Sequence, residues 1–247
     1  MRKKFSANTG FLWPDLSFID RIFRAADTGF DGLEFHDEAQ RHDLASVRSA
    51  LAQTGLPVIG MNIRMGETLG CAGIPGAEEQ ALLDFKDALR IADALDVPNI
   101  HVLAGRVETP ASLDVLERNL TRFSEMTHRN ILLEPLCRRA CENYPYSRLS
   151  EAAAIIKKTG IPNLRLMFDT FHVRSEEDDL LGSYLSHSEQ IGHVQISSWP
   201  DRGMPGPDDL SLNSFLSEVK TEWVGCEFKD PASSARPPRA LIQSIST

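Results

Sequence analysis

Eight short apolar runs alternate with amphipathic segments along a chain of 247 residues, and that alternation is what most limits its fold. The runs fall at residues 5–11, 32–36, 57–63, 99–105, 131–136, 164–171, 191–197 and 223–228. Between them apolar residues recur with helical period at 18–28, 43–54, 78–95, 113–128, 150–159, 180–187 and 212–220. A short last helix is expected within 238–245. Thr28-Gly29, Thr54-Gly55, Asp96-Val97-Pro98 and Thr159-Gly160-Ile161-Pro162 supply the turns. Strands alternating with helices imply βαβ units and a parallel sheet. Eight such units favour closure into a (β/α)8 TIM barrel, and the length matches the roughly 250 residues of that architecture. No linker or low-complexity tract divides the chain, so residues 1–247 are expected to form a single barrel domain.

Charge and composition narrow the function classes. A net charge of −9 repels polyanions, so neither nucleic acid nor an anionic membrane surface is an expected partner. No apolar run approaches the roughly 18 residues of a membrane span, and Met1-Arg2-Lys3-Lys4 is not followed by the apolar core of a secretory signal. The cytoplasm is the default compartment. The four cysteines, Cys71, Cys137, Cys141 and Cys226, form no CxxC pair and are expected as free thiols rather than zinc ligands. The first strand leads into Asn8-Thr9-Gly10-Phe11, which is neither a dinucleotide fingerprint nor a phosphate loop.

Polar groups interrupt the last four apolar runs near their C-terminal ends. They are Glu134 in Leu133-Glu134-Pro135, Asp169 in Phe168-Asp169-Thr170, Gln195 in Val194-Gln195-Ile196 and Glu227 in Cys226-Glu227-Phe228. Neighbouring strands lie ~4.8 Å apart, so these groups can converge on the barrel rim, where active sites of such barrels are built. Clustered carboxylates are expensive to desolvate, and a shared divalent cation offsets that cost. Three carboxylates and an amide oxygen form a hard set suited to Mg²⁺ or Mn²⁺. His193 shares strand parity with Gln195 and is expected beneath it as a hydrogen-bonding support. Arg202, in the loop after the seventh strand, suits a substrate carboxylate. Glu34, His36, Asn62 and His101, near the ends of earlier strands, either line the pocket or serve the structure. Trp13 either covers the site or belongs to the core.

The chain resembles the hydroxypyruvate isomerase-like family of the xylose-isomerase-like sugar isomerase and epimerase barrels. The resemblance is carried in order by Phe5-Ser6-Ala7-Asn8, Gly29-Phe30-Asp31-Gly32-Leu33-Glu34-Phe35-His36, His101-Val102-Leu103-Ala104-Gly105, Leu133-Glu134-Pro135-Leu136, Phe168-Asp169-Thr170-Phe171-His172, Ile191-Gly192-His193-Val194-Gln195-Ile196 and Trp223-Val224-Gly225-Cys226-Glu227-Phe228-Lys229. It implies that Glu134 and Glu227 bind metal and act as the catalytic acid/base pair, with Asp169 and Gln195 completing the metal site. It also implies that His172 hydrogen-bonds a substrate oxygen. The chemistry implied interconverts aldose-like and ketose-like compounds through an enediolate.

Substrate recognition departs from the family pattern. Where the family carries Arg-His-Glu-Pro after the seventh strand, this chain has Arg202-Gly203-Met204-Pro205, and Asp209-Leu210-Ser211-Leu212-Asn213 replaces a Gly-Glu-Ile-Asn segment. The expected function is a metal-dependent isomerase or epimerase of a small carbohydrate or oxo-acid, with His172, Arg202, His101 and Asn62 as substrate-binding residues. The alternatives are a weakly active or non-catalytic binding barrel and a polyol dehydratase using the same metal site. A homo-oligomer is compatible with either.

Overall fold

The computed structural model describes residues 2–107, 109, 111–230 and 234–239. Eight parallel strands close into a barrel in sequence order: β1 (Lys4–Asn8), β2 (Gly32–Phe35), β3 (Val58–Asn62), β4 (Asn99–His101), β5 (Asn130–Leu133), β6 (Leu164–Asp169), β7 (Ile191–Ile196) and β8 (Trp223–Cys226). β1 pairs with β8, so no strand edge remains to be capped. The expected (β/α)8 barrel is therefore the fold found.

The helices around it are α1 (Phe18–Asp27), α2 (Leu44–Thr54), α3 (Glu78–Leu95), α4 (Ser112–Ser124), α5 (Leu149–Thr159), α6 (Thr170–Glu176), α7 (Leu180–His187) and α8 (Leu210–Glu218). Their starts follow the local chemistry. Ser17, Asp43, Asp179 and Asp209 each accept a backbone N–H of the first turn. Gly55 and Gly160 close α2 and α5 in the left-handed conformation, at φ 69° and 62°. The apolar faces of the helices pack on the outward-facing strand residues in one continuous core, which includes Ile22, Phe85, Phe123 and Phe215. Among the described residues no helix is long and apolar enough to cross a membrane.

Two expectations need correction, and one open alternative is decided. Most strands end two to four residues before their apolar runs do; β4, for example, stops at His101 although Val102, Leu103 and Ala104 are buried. Those residues bury their side chains in βα loops rather than in the ladder, which apolarity alone does not distinguish. The run at 164–171 also ends early, because Asp169 caps a helix: its Oδ1 accepts the Phe171 N–H at 2.8 Å and α6 begins at Thr170. Trp13 is 1% exposed and packs edge-on against Phe30, so it belongs to the core rather than covering the site. Most of the helix expected within 238–245 lies outside the described residues.

Candidate active site

Register brings the rim residues together. Asp169, the last residue of β6, stands opposite Gln195 of β7, and Gln195 stands opposite Gly225 of β8, two residues before Glu227. Glu134 follows β5 directly. Glu134, Asp169, Gln195 and Glu227 are all at most 6% exposed, at the end of the barrel where the βα loops meet. In front of them lies a cavity of about 200 Å³ lined in part by Glu134, Glu227, His172, His101, Asn62 and Arg202. All four expected substrate-binding residues thus face one space with both expected catalytic glutamates. Asp169 and Gln195 stand behind that lining.

The acids carry more negative charge than their surroundings offset. Burial, then repulsion from Glu227 and Asp169, pushes the Glu134 carboxyl well above its ordinary value. Burial also raises Asp169, to about 7, although Arg202 opposes the shift, and Glu227 moves in the same direction. The histidines respond oppositely. Burial lowers His101 to about 3 and His172 well below its usual range, so both are neutral rings beside Glu134, each with Nε2 3.7 Å from one of its oxygens. His172 is oriented from behind, where its Nδ1 accepts the Cys137 backbone N–H at 3.0 Å.

Arg202 supplies one positive charge among the three acids. Its Nη2 donates to Asp169 Oδ2 at 2.6 Å and to Glu227 Oε1 at 2.5 Å. The guanidinium also lies between the rings of Phe11 and Phe171, 4.4 and 4.8 Å from their centroids. Arg202 takes a left-handed backbone conformation, φ 54°, which costs a non-glycine residue about 1 kcal/mol or more. The two carboxylates, the two rings and a hydrogen bond from the Lys229 N–H to its carbonyl hold it there. The residue expected to meet a substrate carboxylate is thus paired with two carboxylates of its own chain.

A divalent cation fits this donor set. Asp169 and Glu227 already turn one oxygen each toward a single cationic nitrogen. Glu134 Oε1 and Gln195 Oε1 are buried without a hydrogen-bond partner, as acceptors awaiting a cation or a ligand. Glu134, Asp169 and His172 bring polar atoms within 4.8 Å of one another. A neutral His172 whose Nδ1 accepts the Cys137 N–H carries its proton on Nε2, however, so the ring faces the carboxylates as a donor and the oxygens are the ligands. The set remains dominated by hard oxygens.

Further side chains beneath the rim hold the acids and the amide in place. Asn8 donates to Glu227 Oε2 at 2.8 Å, and its own Oδ1 is held by the Gly10 N–H, so the amide can face only one way. Glu34 accepts from Gln195 Nε2 at 2.8 Å and from the Ser6 hydroxyl, and lies 3.1 Å from His193 Nε2. His193 therefore sits beneath Gln195 as expected, with Glu34 between them rather than on the pocket wall. The four cysteines are free thiols, as expected.

A closed parallel barrel with buried carboxylates converging at the C-terminal ends of its strands is the arrangement of a (β/α)8 barrel enzyme. The chain belongs to the xylose isomerase-like TIM barrel family, whose model matches residues 22–246. It is 29% identical to the hydroxypyruvate isomerase of Escherichia coli over 92% of this chain and 93% of that protein. It is 28% identical to the 2-oxo-tetronate isomerase of Cupriavidus necator over 94% and 95% of the two chains. Among solved structures, an AP endonuclease, family 2, from Brucella melitensis superposes with a TM-score of 0.88 at 27% identity, covering 99% of this chain and 98% of that one.

Proposed function

We propose that this chain is a metal-dependent isomerase or epimerase of a small hydroxy-carbonyl compound, with Glu134 and Glu227 as its acid/base pair. The observation that carries this reading is that both glutamates line one cavity, with Asp169 and Gln195 held behind them by strand register. The names of the E. coli and C. necator relatives, both isomerases acting on short oxo-acids, support the reaction class. A net charge of −9 disfavours a polyanionic substrate.

Glu134, Asp169, Gln195 and Glu227 would hold the cation, and His172 Nε2–H stays a hydrogen-bond donor beside them. When bound, Mg²⁺ or Mn²⁺ would supply Lewis acidity, making the hydrogen beside a substrate carbonyl acidic enough for a carboxylate to remove. Glu134 is suited to hold that proton, because burial among acids raises its affinity for it. Glu227 has its Oε2 fixed by Asn8, so its approach to the substrate is set in advance. One carboxyl removes the proton and the other returns one at the neighbouring carbon of an enediolate. His101 and His172, neutral and beside Glu134, can hydrogen-bond substrate oxygens without neutralising the base.

The test is a panel of small aldoses, ketoses and oxo-acids in D₂O with Mn²⁺ or Mg²⁺, followed by NMR. Deuterium should enter the carbon beside the carbonyl, and Glu134→Gln and Glu227→Gln should each slow incorporation about 10²–10⁴-fold while the fold persists. Exchange retained in either variant removes that residue from the proton-transfer role. Products distinguish isomerisation from dehydration by the same site. One observation favours a second reading, a binding barrel without metal: Arg202 already bridges Asp169 and Glu227. Protein that neither holds nor responds to divalent metal would favour it.

A further inference from the structure

Two histidines flank Glu134, one beside each of its oxygens. His101 Nε2 lies 3.7 Å from Glu134 Oε2, and His172 Nε2 lies 3.7 Å from Glu134 Oε1 and 3.6 Å from Asp169 Oδ2. Both residues are at most 4% exposed, and both line the cavity in front of the glutamates. Those separations exceed hydrogen-bond reach, so neither nitrogen is engaged by the carboxylates. What each nitrogen offers a ligand depends on where the ring holds its proton, and the far side of the ring decides that.

His172 Nδ1 accepts the Cys137 backbone N–H at 3.0 Å, so the proton is on Nε2 and the ring presents a donor. His101 is arranged the other way. Its Nδ1 lies 3.1 Å from Asn62 Oδ1, and an amide oxygen can only accept. The Asn62 amide is oriented by its other end, where Nδ2 donates to Met65 Sδ at 3.6 Å. Burial keeps the His101 ring neutral, so with the proton on Nδ1 its Nε2 is a bare acceptor. That nitrogen is buried and has no hydrogen-bond partner. An ionised Glu134 offers it only a second acceptor, and a buried acceptor left in this way calls for a donor from a ligand.

A hydroxy-carbonyl compound carries two unlike oxygens on neighbouring carbons. The carbonyl oxygen only accepts, and the hydroxyl has a hydrogen to donate. Resting on the isomerase reading, we infer that the two rings sort these oxygens: His101 Nε2 accepts from the substrate hydroxyl, and His172 Nε2–H donates to the carbonyl oxygen. The substrate then carries a free hydroxyl beside its carbonyl, not an ether, a phosphate ester or a methylene, and it lies across Glu134 in one direction. His101 touches the substrate itself. Asn62 acts through the ring, as a positioning residue that fixes the proton on Nδ1.

The experiment uses the full chain with Mg²⁺, its histidine rings labelled with ¹⁵N. Long-range nitrogen–proton NMR spectra, assigned by the signals lost in His101→Leu and His172→Leu, should show the proton on Nδ1 of His101 and on Nε2 of His172. The same tautomer in both rings overturns the inference. Function is read as kcat/KM for deuterium exchange into hydroxypyruvate. Pyruvate, which lacks the hydroxyl, is read by its inhibition constant against that exchange. His101→Leu should lower kcat/KM for hydroxypyruvate about tenfold to a hundredfold and weaken pyruvate far less, whereas His172→Leu should weaken both. Equal losses in His101→Leu, the mark of a merely structural role, overturn it. Asn62→Leu, at a half-buried position, serves if His101→Leu does not fold. It should give His101 a mixture of tautomers and lower kcat/KM for hydroxypyruvate more than it weakens pyruvate, and an unchanged tautomer removes Asn62 from the positioning role. If hydroxypyruvate does not exchange, the isomerase reading fails for this compound, and the His101 Nε2 resonance decides the contact separately. A shift caused by hydroxypyruvate and not by pyruvate sustains it, and equal shifts or none overturn it.

Discussion

At the residue scale, Glu34 gives the site its polarity. A glutamine amide has a donor end and an acceptor end, and only the acceptor can ligate a cation. Because Glu34 accepts from Gln195 Nε2, Gln195 Oε1 is left facing away, buried and without a partner. Burial would by itself keep Glu34 protonated, but His193, Ser6 and Gln195 together outweigh it and hold the carboxyl below its ordinary value, as an acceptor. Gly225 makes the room, since a Cβ there would lie 2.4 Å from Glu34 Oε1 and 2.8 Å from Gln195 Cγ. Glu34→Ala should therefore weaken Mn²⁺ binding about 10–100-fold by calorimetric titration, the effect typical of losing a residue that orients a ligand. Unchanged affinity would show that the amide needs no support. Glu34 was legible only as a polar residue near a strand end, because its partner is 161 residues away.

At the element scale, the loop that carries Arg202 is anchored by α8. Asp209 caps that helix, accepting the Leu212 N–H at 2.9 Å, and takes two hydrogen bonds of 2.6 Å from Arg174 of α6. Asp209→Ala removes the cap and leaves a largely buried guanidinium unpaired, so unfolding by urea should show a loss of about 2–3 kcal/mol. The pH dependence has a definite sign. Burial opposes ionisation of Asp209, but Arg174 and the Leu212 N–H outweigh it and lower its pKa. A carboxyl depressed in the folded state stabilises above its unfolded value of about 4, and that contribution disappears as pH falls through the lower folded value. The difference between wild type and Asp209→Ala should accordingly shrink below about pH 4. Helical segments were legible to within a few residues because caps and period are local. The exception is α6, whose start depends on Asp169 serving both as strand end and as helix cap.

For the whole molecule, the uncompensated charge at the barrel mouth should make stability responsive to metal. A ligand at 100 times its Kd that binds only the folded state contributes ~2.7 kcal/mol, which for a chain of this length is a rise in Tm of about 5–10 °C. Differential scanning fluorimetry with Mn²⁺ or Mg²⁺, reversed by chelator, measures it. No shift at millimolar metal would favour Arg202 as the permanent partner of Asp169 and Glu227.

The sequence by itself determined the barrel and the rim positions of its acids. Strand period, helix period and turns are properties of neighbouring residues, and eight repeats of them leave few other closures. Only the tertiary structure decided that Arg202 pairs with Asp169 and Glu227, that Gln195 turns its amide nitrogen to Glu34, and that leucines and a methionine join the acids in lining one cavity. Those outcomes depend on distances of a few ångströms between side chains far apart in the chain. Closing the barrel sets such distances, and no local pattern encodes them.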